Sequence, residues 1–302
     1  TYITEGGIRY EGEFNNNKLQ GKGIEILPNG QRYEGEFKDD LRHGQGKIFL
    51  ENGTIYEGEF EDGKYNGHGV KTTSERTRYE GEFLNGKYNG YGVITWKDGR
   101  SYEGQFIDGL YNGQGIQKFP SGYSYNGEFK DDLKHGEGVY HFKDGTVYRG
   151  SYKNDLKHGQ GIETYADGAR YEGQFKYGNY HGDGIVERSG TRYEGEFQNG
   201  LYHGHGLFMD KDQLEYDGEW KFQLFDGVGK IVFSNDDSYQ GQFKKGEYDG
   251  QGIFIEGNGN SYDGEWKRGL KNGKGQLTLA GGDKFNETWK NGELTSSQSF
   301  TE

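Results

Sequence analysis

The chain has 302 residues, a formal charge of -13, 57 glycines, 2 prolines and no cysteine. The acidic balance excludes the basic stripe that nucleic-acid binding needs, and the lack of cysteine excludes disulfide staples, thiolate metal sites and a cysteine nucleophile. Leu, Ile, Val and Phe make up less than a fifth of the residues, a content that on composition alone suits disorder, so any fold has to come from order along the chain.

In chain order, residues 1–9 read as the second half of a preceding unit; with no initiator Met, a fragment or processed form is expected. From residue 10 a tyrosine followed two residues later by glycine recurs at Tyr10, Tyr33, Tyr56, Tyr79, Tyr102, Tyr125, Tyr148 and Tyr171, always 23 apart. The series continues at Tyr193, Tyr216, Tyr239 and Tyr262 after one interval of 22, which makes twelve units over 10–284. In each, the alternation of "YEGEF" predicts a strand with Tyr33, Gly35 and Phe37 on one face and Glu34 and Glu36 on the other. A polar turn over 39–43 follows, then Gly44-x-Gly46, a strand-like run such as "KIFL", and a second turn signal such as "PNG". Gly35 is expected to make room for a ring from an adjacent strand, and the Gly44/Gly46 pair to bend the chain or take positive φ. Ile116 and Phe119, three apart, share a face only if a bulge intervenes. Residues 285–302, from Phe285 in "FNETW", read as a degenerate half-repeat and polar tail.

A lone hairpin is marginal in water. Twelve of them are therefore predicted to stack side by side as an all-β, elongated, single-layer antiparallel sheet, a twisted and grooved rod in which each hairpin touches mainly its neighbours. No apolar run approaches the ~20 residues of a membrane-spanning helix.

Tyr-x-Gly-x-aromatic, a turn and Gly-x-Gly on a 23-residue period resembles the MORN repeat (membrane occupation and recognition nexus) from Tyr10 to about Gly275, with "YEGEFLNGKYNGYG" and "YEGEFQNGLYHGHG" as close matches. "TSERTR" before Tyr79 lacks the turn glycine, and "VERSGTR" is one residue short. The resemblance implies a non-enzymatic scaffold or docking platform, cytoplasmic and cytoskeleton-associated, in a cilium, an axonemal radial spoke or the cell cortex. It also implies two alternatives: a tether to phosphoinositide or other anionic membrane, and a targeting module of a larger enzyme such as a lipid kinase or methyltransferase.

The residues that look chemical read as architecture. His43, His135, His158, His181 and His203 share a repeat position with Gln20, Asn66, Asn89, Asn112, Asp226, Asp249 and Asn272, all polar groups suited to a turn. Equivalent positions lie two strands apart, ~9–10 Å, too far for neighbours to share a metal. The acidic positions of the first strands form a solvated strip, relieved by cross-strand pairing with the arginines before the tyrosines. No catalytic residue, metal or cofactor is assigned. Partner contact is assigned to a second aromatic set in the first turns, Tyr65, Tyr88, Tyr111, Tyr180, Tyr202, Phe225 and Tyr248, and to the apolar turn "KFQLFDG", which adds Phe222 and Leu224. The partner would be an extended or helical protein segment, or a second copy of the chain. Lys18, Arg42, Lys64, Lys87, Lys134 and Lys157 collect in the same turns as an edge that would suit lipid headgroups.

Overall fold

A computed structural model describes residues 1–300, leaving the last two residues of the expected tail outside. Its regular elements are 27 β-strands. They fall into two compact halves, Thr1–Asp155 and Leu156–Glu302, and within each half successive strands pair antiparallel, hairpin after hairpin. The all-β antiparallel class expected from the periodicity is what the chain adopts.

In the first half, strand Ser101–Ile107 pairs with strand Leu110–Lys118 through Tyr102↔Gln117, Gly104↔Gly115, Phe106↔Tyr111 and Ile107↔Leu110. Asp108 and Gly109 alone make the turn, both at positive φ (53° and 90°). Such a two-residue type I′ turn matches the strands' own twist. The register then shifts between Gly104 and Phe106, so Asn112, Gly113 and Gln114 face the single residue Gln105 as a bulge. Gly113 bends there at φ 64°. On the far side, Gly113, Gly115 and Gln117 stand opposite Phe129, Gly127 and Tyr125. Ile116 is paired with Glu103 and Asn126, so it lies on the outward face rather than with the rings.

The core is built on one face of the sheet. Tyr33, Tyr56, Tyr79, Tyr102 and Tyr125 are wholly buried. Each meets the Phe of its own strand edge-on, and most also meet the Phe of the next hairpin. Tyr56, for example, lies 5.1 Å from Phe60 and 5.0 Å from Phe83. Such pairs add ~0.5–1.5 kcal/mol each beyond the area they bury. The buried hydroxyl is satisfied inside the bulge, where Tyr33 donates to the carbonyl of Glu36 and Tyr56 to that of Glu59, both at 2.8 Å.

The glycines divide the work differently from the expectation. Gly44 takes the left-handed bend, φ 58°. Gly46 gives the room, because a Cβ there would fall 2.5 Å from Tyr33 Cε2. Gly35 does not receive a ring from a neighbouring strand: a Cβ on it would meet the Cα of Gly46 at 2.5 Å and the ring of its own Tyr33.

The second half repeats the plan around Tyr171, Tyr193, Tyr216 and Tyr239, all wholly buried. Its one short interval is absorbed between hairpins. Ser189 and Gly190 form a two-residue turn at φ 51° and 82°, and the flanking register stays Gly184↔Gly195 and Val186↔Tyr193. In the first half, Arg76 (φ 64°) takes the left-handed place of the missing glycine before Tyr79. At the end of the chain, strand Lys284–Lys290 pairs with strand Glu293–Phe300, so the segment read as half-repeat and polar tail carries a full hairpin. Glu287 stands where the glycine would be, buried and bonded by Trp289 Nε1 at 2.9 Å.

Candidate functional site

Because the first turn is two residues long, the second aromatic set does not sit in it. Tyr65, Tyr88 and Tyr111 are strand residues opposite Phe60, Phe83 and Phe106. Each lies flat on the buried tyrosine of its own hairpin, with centroids 3.8, 3.8 and 3.7 Å apart. In the second half Tyr180, Tyr202, Phe225 and Tyr248 stack likewise on Tyr171, Tyr193, Tyr216 and Tyr239 at 3.6 to 3.8 Å. One face of each ring is thus covered, the edges touch phenylalanines or tryptophans, and the residue stays half-buried. Over the Tyr88 ring, on the side away from Tyr79, lies Lys71 Nζ at 5.7 Å. Burial raises the phenol pKa of Tyr65, Tyr88 and Tyr202 and takes that of Tyr248 up to about 12, so these rings are neutral.

The six basic residues do not form one edge. Lys18, Lys64 and Lys87 open their strands opposite Asn15, Glu61 and Leu84. Lys18 and Lys87 have side chains 52% and 60% exposed, and each reaches an aspartate, Asp39 and Asp108. Arg42, Lys134 and Lys157 come one residue later, and adjacent strand residues point to opposite faces. They stand at the repeat position of the second rings, with side chains only 19%, 19% and 17% exposed. Arg42 lies 5.2 Å over Tyr33, Lys134 5.7 Å over Tyr125 and Lys157 5.6 Å over Phe175. These three therefore replace a stacked ring by a cation over a ring. Lys271 does the same over Tyr262 at 4.2 Å, a member of the set that the sequence reading passed over.

Two of these cations are tied to buried or nearly buried acids on the same face. Arg42 Nε donates to Glu25 at 2.9 Å. Lys157 pairs with the buried Glu163, which also accepts from Tyr165 Oη at 3.2 Å and Tyr180 Oη at 3.4 Å.

The apolar turn also splits. Phe225 belongs to the stacked row, whereas Phe222 and Leu224 are exposed beside the equally exposed Val228 and line a shallow depression with Lys244 and Lys245. Phe222 and Gln223 hold φ 51° and 65°, and the Phe222 ring rests 5.6 Å from His203.

The acids and the histidine position are used locally. Glu59, Glu82, Glu196 and Glu219 accept the bulge N–H of His68, Tyr91, His205 and Val228 at 2.9 to 3.1 Å. Gln105 does the same for Gln114 at 3.2 Å. The interchange of Glu with Gln at this position was the available signal that an acceptor, not a charge, is needed. The arginines before the tyrosines mostly pair along their own strand, as Arg78 with Glu80 and Arg192 with Glu194, both at 2.6 Å, rather than across it. At the histidine position, Gln20, Asp226 and Asn272 accept a turn N–H of the next hairpin, from Asp39, Lys245 and Asn291, at 3.2 to 3.3 Å.

A family profile, the MORN repeat, matches residues 10–32, 33–55, 56–76, 79–99, 102–122, 125–147, 148–170, 171–185, 193–214, 216–238, 239–261 and 262–284. A search of curated proteins gives no match. Among solved structures, the chain is similar to the TCP10c domain of Drosophila melanogaster Sas-4, with 14% identity, a TM-score of 0.31 and coverage of 52% of this chain and 93% of that one. It is also similar to the wild-type TCP10 domain of Danio rerio CPAP, with 13% identity, a TM-score of 0.20 and coverage of 92% and 99%. Likenesses of this strength carry no functional argument.

Proposed function

This chain belongs to the MORN-repeat family, and on that premise we propose that it is a non-enzymatic scaffold. Its aromatic face docks an extended or helical segment of a partner protein, in a ciliary or other cytoskeletal assembly of the cytoplasm. The observation that carries the reading is the second row of rings, each held flat at 3.6 to 3.8 Å on a buried tyrosine and itself only half-buried. A stacked ring has already lost its rotamer freedom, so covering it costs little further ordering. Half-exposed tyrosines are also the side chains that most often anchor interfaces. The second-position glutamates, which in the sequence suggest catalysis, hold the bulge instead. At the histidine position Asp226 holds a turn, while Nδ1 of His43, His135, His181 and His203 is buried without a hydrogen-bond partner among the described residues. We assign the exposed Phe222–Leu224 turn, which opens with Val228 onto the outward face, to a separate contact, with the partner or with a second copy.

The test is a photo-crosslinking residue placed at Tyr88, on the aromatic face, or at Gln114, on the outward face. Adducts with a cytoskeletal or ciliary protein are expected from position 88 and not from 114. Adducts from 114 alone would sink the reading.

A further inference from the structure

Two residues past the Gly-x-Gly pair, three successive hairpins of the first half carry Ile48, Lys71 and Ile94. The isoleucines are 2% and 7% exposed, so both flanking hairpins fill this position with a buried aliphatic side chain, and Lys71 puts a cation between them. Its strand neighbours are the buried Tyr56 on one side and Tyr79 on the other, and its Nζ lies 5.7 Å over the Tyr88 ring. In the first half the cations at the second-ring position are paired, Arg42 with Glu25 and Lys134 with Asp155. Among the described residues no carboxylate lies within ion-pair distance of Lys71. Burial alone pushes its ammonium pKa down. Ring faces attract an ammonium but give it no hydrogen-bond acceptor of carboxylate strength.

From this we infer that the aromatic face at hairpins 55–72 and 78–95 receives a carboxylate. Its occupant is a protein segment that presents Asp or Glu to Lys71, flanked by apolar side chains that rest on Tyr65 and Tyr88. The inference depends on the aromatic face being the docking surface and names what docks there. A wholly apolar segment laid across Lys71 would remove its remaining water and supply nothing in return, leaving a buried unpaired charge. A basic segment would be repelled. A carboxylate gives the same cation a charge-assisted hydrogen bond between two neighbouring stacked rings, so one residue sets both the chemistry and the register of the partner.

The experiment selects a displayed library of random 12-residue peptides on the full chain, in wild-type, Lys71→Ile and Lys71→Glu forms. Lys71→Ile installs the residue that the flanking hairpins already carry, so it is expected to keep the fold. Peptides selected by the wild type should share an Asp or Glu between apolar residues and lose about 10- to 100-fold in affinity on Lys71→Ile, the worth of a hydrogen bond to a charged group. Lys71→Glu should instead select Lys or Arg at that place. Peptides that depend on Tyr88, shown by loss of binding to Tyr88→Ala, but carry no acid preference would overturn this inference and leave the docking face standing. Peptides indifferent to both Tyr65→Ala and Tyr88→Ala would overturn the docking face and the inference with it. Binding of phosphoinositide vesicles that is lost on Lys71→Ile, with peptide binding unchanged, would assign the cation to lipid and also overturn it.

Discussion

At Tyr79 both the ring and the hydroxyl are fully used. The ring is edge-on to Phe83 and Phe106 at 5.0 and 5.3 Å and face-on to Tyr88 at 3.8 Å, while the hydroxyl donates to the Glu82 carbonyl at 2.8 Å. Tyr79→Phe keeps every ring contact and orphans that carbonyl, so it should cost about 1–2 kcal/mol. Gly92→Ala should cost more, about 3 kcal/mol, because the new Cβ would fall 2.6 Å from Tyr79 Cζ and the stacked ring has nowhere to retreat. Urea midpoints of the two variants check the order. If Gly92→Ala proves the milder, the close approach of ring to backbone is not what fixes this glycine.

Each hairpin is set by its turn, and one turn works against its own residues. Phe222 and Gln223 occupy the two left-handed positions that other hairpins give to Asp108-Gly109 or Asn85-Gly86, and a bulky residue there is disfavoured. Replacing the pair by Asn-Gly should raise stability by about 1–2 kcal/mol in urea unfolding while weakening partner capture. No gain in stability would mean that the contact of Phe222 with His203 repays the strain, and the turn would then be structural. The strands and their inward Tyr and Phe were legible in the sequence because a period of two admits only one assignment of faces. The turn length was not. Reading 39–43 as turn put Leu41 and Arg42 in a loop, whereas a two-residue turn at Asp39 and Asp40 makes them strand residues on opposite faces. A longer turn groups Arg42, Lys134 and Lys157 with Lys18, Lys64 and Lys87 and puts the second rings in the turn; the two-residue turn sends the two basic sets to opposite faces and lays the rings on the core. The bulge was hidden for a related reason: Gly44 and Gly46 look alike in sequence, but one is there for its φ and the other for the ring above it.

Across the whole molecule the tyrosines tie folding to pH. Burial raises the phenol pKa of Tyr33, Tyr56, Tyr79, Tyr102, Tyr125, Tyr171, Tyr193, Tyr216 and Tyr239, and takes that of Tyr262 up to about 12. Each phenol is held neutral in the folded chain and ionises near pH 10 in the unfolded one. A raised folded pKa gives stability that is fully present below the unfolded value and is lost as pH climbs from there toward the folded value. Each such group removes about 1.4 kcal/mol per pH unit above pH 10, and domains rarely hold more than about 15 kcal/mol in all. The phenolates also add negative charge to a chain already at -13, which acts in the same direction. Alkaline unfolding is therefore expected to be steep, beginning just above pH 10, with tyrosinate absorbance near 295 nm rising in step with loss of the β-sheet circular dichroism signal. Gradual ionisation of most tyrosines with the sheet signal intact would show that the core phenols are not shielded from water, and the aromatic face would then have to be far more open than its packing distances imply.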